Sequence, residues 1–269
     1  MVVKKIKYYV PLFLAYVRKN FVEAVSFKFD FLFGIGSNVI QQVVMIAFLS
    51  IVFQNPVSIE GWGYNEFLFL YGFALIPNGI SDLVFGNIWA LPGHYIHFGN
   101  LDKVLVRPVA TLFAVIADGT NLHGFIQSVV GGIICIIAGI ELNLSFSIFS
   151  LLYMILLTVC GAFIIMSINL VAATLAFWFN EVMSFMILIS SFKDFLKYPL
   201  GIYHKSIQIL CTWLIPYAFV SYFPTTYILE MKEYVVFVMA APFVSIIFFV
   251  FAINFFKFGL KHYTSVNSK

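Results

Sequence analysis

The chain has 269 residues, of which 62% are hydrophobic, 19% aromatic and only 10% charged, with a mean hydropathy of +1.00. Soluble domains carry roughly 25% charged residues, so this composition excludes a soluble globular domain and makes lipid the solvent for most of the surface. The net charge of +3 is a small sum over 15 basic and 12 acidic residues; it points to no nucleic-acid partner, and the placement of the charges matters more than their total.

The first 28 residues interleave Lys4, Lys5, Lys7, Arg18 and Lys19 with Tyr8, Tyr9, Phe13, Tyr16 and Phe21. Cations alternating with aromatic rings suit a helix lying in the membrane interface, and the interruptions at Pro11, Arg18 and Lys19 argue against a cleaved signal peptide. Residues 1–28 are therefore expected as an interfacial elbow helix, and 29–269 as one transmembrane domain.

Uncharged runs of about 20 residues, enough to cross ~30 Å of hydrocarbon, recur from there on. A first span is expected over about 29–54, ending at Gln54-Asn55-Pro56, and a second over about 65–90, with Glu66 near one end and Asp82 toward the other. A third is expected over about 111–140, with Asp118 in its first turns and Glu141 as its terminator. No charge occurs from Leu142 to Asn180, a stretch too long for one span, so Asn143, Ser145 and Ser147 are read as a turn before a fourth span over about 148–179. A fifth span is expected over 181–202, its far half holding Lys193, Asp194 and Lys197, and a last one over 234–256, leading to Lys257, Lys261 and Lys269. The three cysteines, Cys135, Cys160 and Cys211, are odd in number and set far apart in apolar runs, and they read as small hydrophobes.

The uncharged run Ser206–Leu229 is broken by Pro216 and Pro224, and charge bias decides how to count it. With this run re-entrant there are six spans and both termini share one side. That side collects Lys4, Lys5, Lys7, Arg18, Lys19, Lys28, Lys103, Arg107, Lys257, Lys261 and Lys269, eleven of the fifteen cations. By the positive-inside rule this is the cytoplasmic side, which also receives the segment Gly99–Pro108.

No G-x-x-x-x-G-K-[ST] loop occurs in the chain, so any ATP and its Mg²⁺ must be held by another chain. Neither H-E-x-x-H nor G-x-S-x-G occurs, and the pair His94 and His97 lacks further ligands for a metal; an enzyme is not expected. Asp82 and Asp118 are the carboxylates placed to be intramembrane. Each is either a helix-end or water-contacting group or a member of a polar pathway. Small residues at Gly34, Gly36, Gly131, Gly132, Ala172 and Ala176 suit close helix approach, and the Phe248–Phe256 aromatic stripe suits lipid, packing or a hydrophobic cavity.

The elbow, six spans and re-entrant segment before the last span resemble the membrane subunits of type 2 ABC exporters, a class including drug, polysaccharide and antibiotic-resistance exporters. Two stretches resemble one bacterial permease family of that class: Gly99-Asn-Leu-Asp-Lys-Val-Leu-Val-Arg-Pro108, and Lys197-Tyr-Pro-Leu-Gly-Ile-Tyr203 with Ile215-Pro216 and Tyr222-Phe-Pro224. The resemblance implies that residues 91–108 form a coupling helix docking on a separate ABC ATPase, with Asp102, Lys103, Arg107 and Pro108 as candidate contacts. It implies a second permease, identical or related, with a heterodimer preferred, and a path for an amphipathic or hydrophobic substrate near Asp82, Asp118, Pro216 and Pro224. Charge alone fits a solvated cytoplasmic loop equally well. An ion-gradient-driven carrier or channel using Asp82 or Asp118, and a membrane anchor without transport of its own, are the competing readings.

Overall fold

The computed structural model describes residues 2–54, 59, 61–231 and 234–265, and among these it contains helices and no strand, only an isolated bridge between Ile59 and Trp62. Asn55, Pro56 and Lys269 lie outside the described residues, as do the side chains of Lys4 and Lys5. Helix α1 (Val2–Ser26) runs through Pro11 without a break, and a bend at Phe27 leads into α2 (Lys28–Val52). Helix α3 (Tyr64–Phe85) starts with Glu66 in its first turn, where a carboxylate meets the positive end of the helix dipole.

The helices depart from the expected spans in three places. Helical structure continues past residue 90: α3 is followed by a 3-10 turn over Gly86–Ala90 and a π-helical segment over Leu91–His97, 34 residues in all. Pro92, lacking an N–H, loosens the helical ladder there without ending it. The third span is not continuous over 111–140. It divides into α5 (Thr111–Asp118) and α6 (Leu122–Glu141), with Gly119 extended and the Asn121 side chain accepting from the His123 N–H at 3.1 Å. An Asn N-cap starts a new helix, so Asp118 closes a short helix instead of opening a span.

The fifth segment is likewise not one α-helix. Helix α8 (Val182–Ser191) has ten residues and gives way to 3-10 turns over Phe192–Lys197 and Leu200–Ile202. Ser190 and Ser191 both donate to the Ile187 carbonyl, at 2.8 and 3.0 Å, competing with the helical ladder at the point where it fails. In the Phe192–Lys197 turn, Lys193 lies 3.6 Å from Asp82 of α3.

The remaining elements are α4 (Leu101–Leu105), α7 (Ile148–Thr174), α9 (Lys205–Ile209), α10 (Tyr222–Ile228) and α11 (Val235–Leu260). The arm from Lys205 to Leu214 and the arm from Tyr217 to Ile228 meet at 75° across Ile215 and Pro216. Among the described residues, five helices are long and apolar enough to cross a membrane, or six if this bent pair is one span.

Packing fixes the relative directions. A Cβ at Gly72 would lie 2.9 Å from the Gly131 carbonyl oxygen, and one at Gly79 would lie 2.7 Å from the Ser128 nitrogen, so α3 and α6 run antiparallel, backbone against backbone. Gly132 and Gly36 face open space. The Tyr153 hydroxyl donates to the Val238 carbonyl at 3.2 Å and the Ser245 hydroxyl to the Cys160 carbonyl at 3.1 Å, the same sequence offset of 85, so α7 and α11 run parallel. The cysteines are buried and free. The apolar core divides into clusters. One, around Leu70, Leu157 and Ile164, buries Tyr217, Phe219 and Phe223 of the bent segment; another, around Met166, Val115 and Phe256, buries Ile88, Leu91, Tyr95, Leu101 and Val104.

Both ends of the described chain meet one segment. The Ala110 N–H donates to the Tyr9 hydroxyl at 3.2 Å, and the Ser265 hydroxyl donates to Asp102 Oδ2 at 2.6 Å.

Candidate functional site

The segment from Phe98 to Asp118 is organised around Arg107. Its Nη1 donates to both oxygens of Asp118, at 2.8 and 3.0 Å, and lies 3.4 Å from the Tyr16 hydroxyl. The Tyr95 hydroxyl donates to Asp118 Oδ2 at 3.2 Å and accepts from Asn87 Nδ2 at 3.0 Å, while Asn87 also reaches the Val115 carbonyl at 2.5 Å. The guanidinium is 35% exposed and the carboxylate 19%, so the pair is shielded enough to hold a fixed geometry. The hydrogen bonds donated to Asp118 hold the Arg107 pKa above its ordinary value, and the cation persists at any working pH.

Helix α1 docks on this network by one face. Tyr9, Phe13, Tyr16 and Asn20 recur at i, i+4, i+7 and i+11, which places them on one side of a helix. Tyr9 packs edge-on against Phe113 with ring centroids 4.7 Å apart, Phe13 approaches the same ring, and buried Asn20 donates to the Ala117 carbonyl at 3.0 Å. These partners, with Tyr95 and Asn87, were not among the candidates from sequence. The 9-13-16-20 spacing is the signal that could have found them.

Of the candidate contacts, Arg107 is turned inward and Asp102 is half-buried with Ser265, whereas Lys103 is exposed and reaches Asn100 at 2.8 Å, and Pro108 is exposed. Burial, and then the nearby Asp102 charge, push the Tyr263 hydroxyl up to about 12. Helix α4 buries Leu101 and Val104 completely, while the residues flanking it, Phe98 and Val106, are 78% and 84% exposed. Leu105 is also exposed. An anchored short helix with apolar knobs on its open side is the form of a docking surface.

Of the four path candidates, Asp118 stands apart from the other three. Asp82 pairs with Lys193 in the Phe192–Lys197 turn, and Ser221 of the bent segment donates to the Leu196 carbonyl of that turn at 2.8 Å. Pro216 forms the corner, and Pro224 sits in the first turn of α10, where its missing N–H has no helical partner to lose. Asp118 belongs to the separate Arg107 network. His94 is exposed, and no group of three potential metal ligands occurs among the described residues.

No curated protein and no solved structure matches the chain. A family model for ABC-2 family transporter proteins matches residues 39–267, which takes in all of the candidate spans but the first eight residues of Phe31–Val52, and the whole Arg107 network except its α1 partners. Permeases of that family are membrane transport components, generally not catalytic themselves, that normally work with an ATPase subunit. With several apolar spans and one partly exposed, anchored segment between two of them, the chain belongs to the ABC-2 family of transporters, as a multi-pass membrane permease.

Proposed function

We propose that this permease moves an amphipathic or hydrophobic substrate outward across the bacterial cell membrane, powered by ATP and Mg²⁺ held on a separate ATPase chain. The observation that carries the docking role is the exposure of Phe98 and Val106 on either side of α4, whose Leu101 and Val104 are buried beneath them while Leu105 joins the exposed side. The ATPase receives these knobs together with Lys103. Arg107 and Asp102 act from behind, fastening the segment to α5 and α1 and to the C-terminal end.

Several features support the topology. Both ends of the described chain meet the 99–118 segment, and the cations expected on that side support a cytoplasmic placement for it. Helix α8 with the following 3-10 turn rises about 27 Å, from 1.5 Å per α-helical and 2.0 Å per 3-10 residue, a length that supports reading it as a short sixth crossing, with the bent Lys205–Ile228 pair re-entrant from the outside. The burial of Tyr217, Phe219 and Phe223 fits irregular backbone covered by protein. The first span is only 11% buried in its most apolar window, leaving faces for lipid and for a second permease, related or identical.

ATP binding draws two ATPase subunits together and pushes on α4. The Arg107–Asp118 network passes that displacement to α1, α5 and the end of α3. Both carboxylates proposed for an ion-driven carrier are already neutralised by a cation, Asp82 by Lys193 and Asp118 by Arg107, which speaks against that mechanism.

Co-expression with the partner ATPase tests the assignment. Phe98→Glu with Val106→Glu removes co-purification and ATP-dependent accumulation in reconstituted vesicles while membrane insertion is unchanged. Retained co-purification excludes this surface as the dock.

A further inference from the structure

A cavity of about 520 Å³ lies at the end of the bundle opposite Gly99–Pro108, between the 144–146 turn, the first half of α7, the end of α10 and the start of α11. That volume is in the range of small-molecule sites, roughly 300–1,000 Å³. Its walls include Met154, Leu157 and the rings of Tyr153 and Tyr227, set edge-on with centroids 5.5 Å apart. The hydrogen bond from the Tyr153 hydroxyl to the Val238 carbonyl fixes that ring.

Among the described residues, Glu230 is the one charged residue lining this cavity. It lies just past the end of α10 with φ +58, its N–H donating to the Tyr227 carbonyl at 3.1 Å while the Met231 N–H reaches the Thr226 carbonyl at 2.8 Å. Such a left-handed helix stop ordinarily takes Gly or Asn, and a carboxylate beside the unpaired carbonyls of a helix end is electrostatically unfavourable. Backbone requirements therefore oppose a glutamate at this position, and no cation among the described residues pairs with it.

We propose that this cavity binds a lipophilic organic cation, its onium centre held between the Glu230 carboxylate and the faces of Tyr153 and Tyr227, its apolar body against Met154 and Leu157. Aromatic faces attract cations most strongly when partly desolvated, and the carboxylate supplies the charge that rejects an anion of the same shape. The assignment rests on the transport reading only in making the cation cargo at the outward end; binding itself needs neither ATP nor the ATPase.

The test is equilibrium binding of radiolabelled tetraphenylphosphonium to the full chain purified in lipid-free micelles. Saturable binding is expected, with tetraphenylborate failing to compete. Glu230→Gln and Glu230→Gly should weaken it on the order of tenfold, the size of one charge-assisted contact, with Glu141→Gln as a neutral control. The glycine variant suits the left-handed backbone, so its loss of binding reports the carboxylate and not the fold. Competition by ethanolamine-headgroup lipid identifies a lipid ammonium as the natural occupant; its absence identifies a free cation. Equal binding of the anion, or unchanged affinity in both Glu230 variants, overturns the site. Binding that persists without ATP-dependent movement in vesicles leaves the site standing and counts against the transport reading alone.

Discussion

The two shielded ion pairs of this permease are built differently. Arg107 and Asp118 share two contacts near 3 Å, and the carboxylate and guanidinium also engage Tyr95 and Tyr16. Lys193 and Asp82 make one looser contact at 3.6 Å. The first is a network spread over α1, α3's extension, the 98–110 segment and α5; the second is a single tie between α3 and the turn after α8. A planar guanidinium supplies several directed donors, whereas an ammonium is a point charge that tolerates a loose partner. The difference teaches that the end of the molecule proposed to receive the ATPase is held in a defined geometry, while the mid-bundle pair chiefly cancels charge.

The comparison can be broken at the buried lysine first. Lys193 is 13% exposed, so Asp82→Asn strands a cation in an apolar bundle and should destabilise the protein by about 3 kcal/mol, read as unfolding in micelles. The double exchange Asp82→Lys with Lys193→Asp should recover most of that loss if the pair only cancels charge. Next comes Asp118→Asn. With Arg107 one-third exposed, water takes up part of the stranded charge, and the expected cost is about 1–2 kcal/mol. Its larger effect should be on function, as lower ATPase stimulation with insertion retained, because Tyr95 and Arg107 lose a common anchor. Asn20→Ala should cost least, about 1 kcal/mol for one buried hydrogen bond, and should raise hydrogen exchange in α1 without touching the Asp82–Lys193 pair. Equal losses of ATPase stimulation from Asp82→Asn and Asp118→Asn would erase the distinction between the two regions.

Much of this was legible along the chain. Uncharged runs bounded by Asn143 and Ser147, and by Lys257, carry α7 and α11, because a long hydrophobic helix needs only local hydrogen bonds and lipid. Arg107 and Asp118 could be singled out as charges in an apolar sequence, but not as partners, since Asp118 was placed inside a span that breaks at Gly119. The exposed residues Phe98 and Val106, proposed above as docking contacts, were passed over for their charged neighbours, although an apolar residue is informative where it stays exposed, and exposure is not written in sequence.

Composition by itself determined that the chain is a multi-pass membrane protein, because the cost of burying charge in lipid acts on each residue separately. Tertiary structure alone decided that Arg107 faces inward to Asp118, that Asp82 has a cation, and that α3 and α6 meet at their glycines. Those are pairings between residues distant in sequence, and only the packed bundle brings them within the few ångströms over which such contacts act.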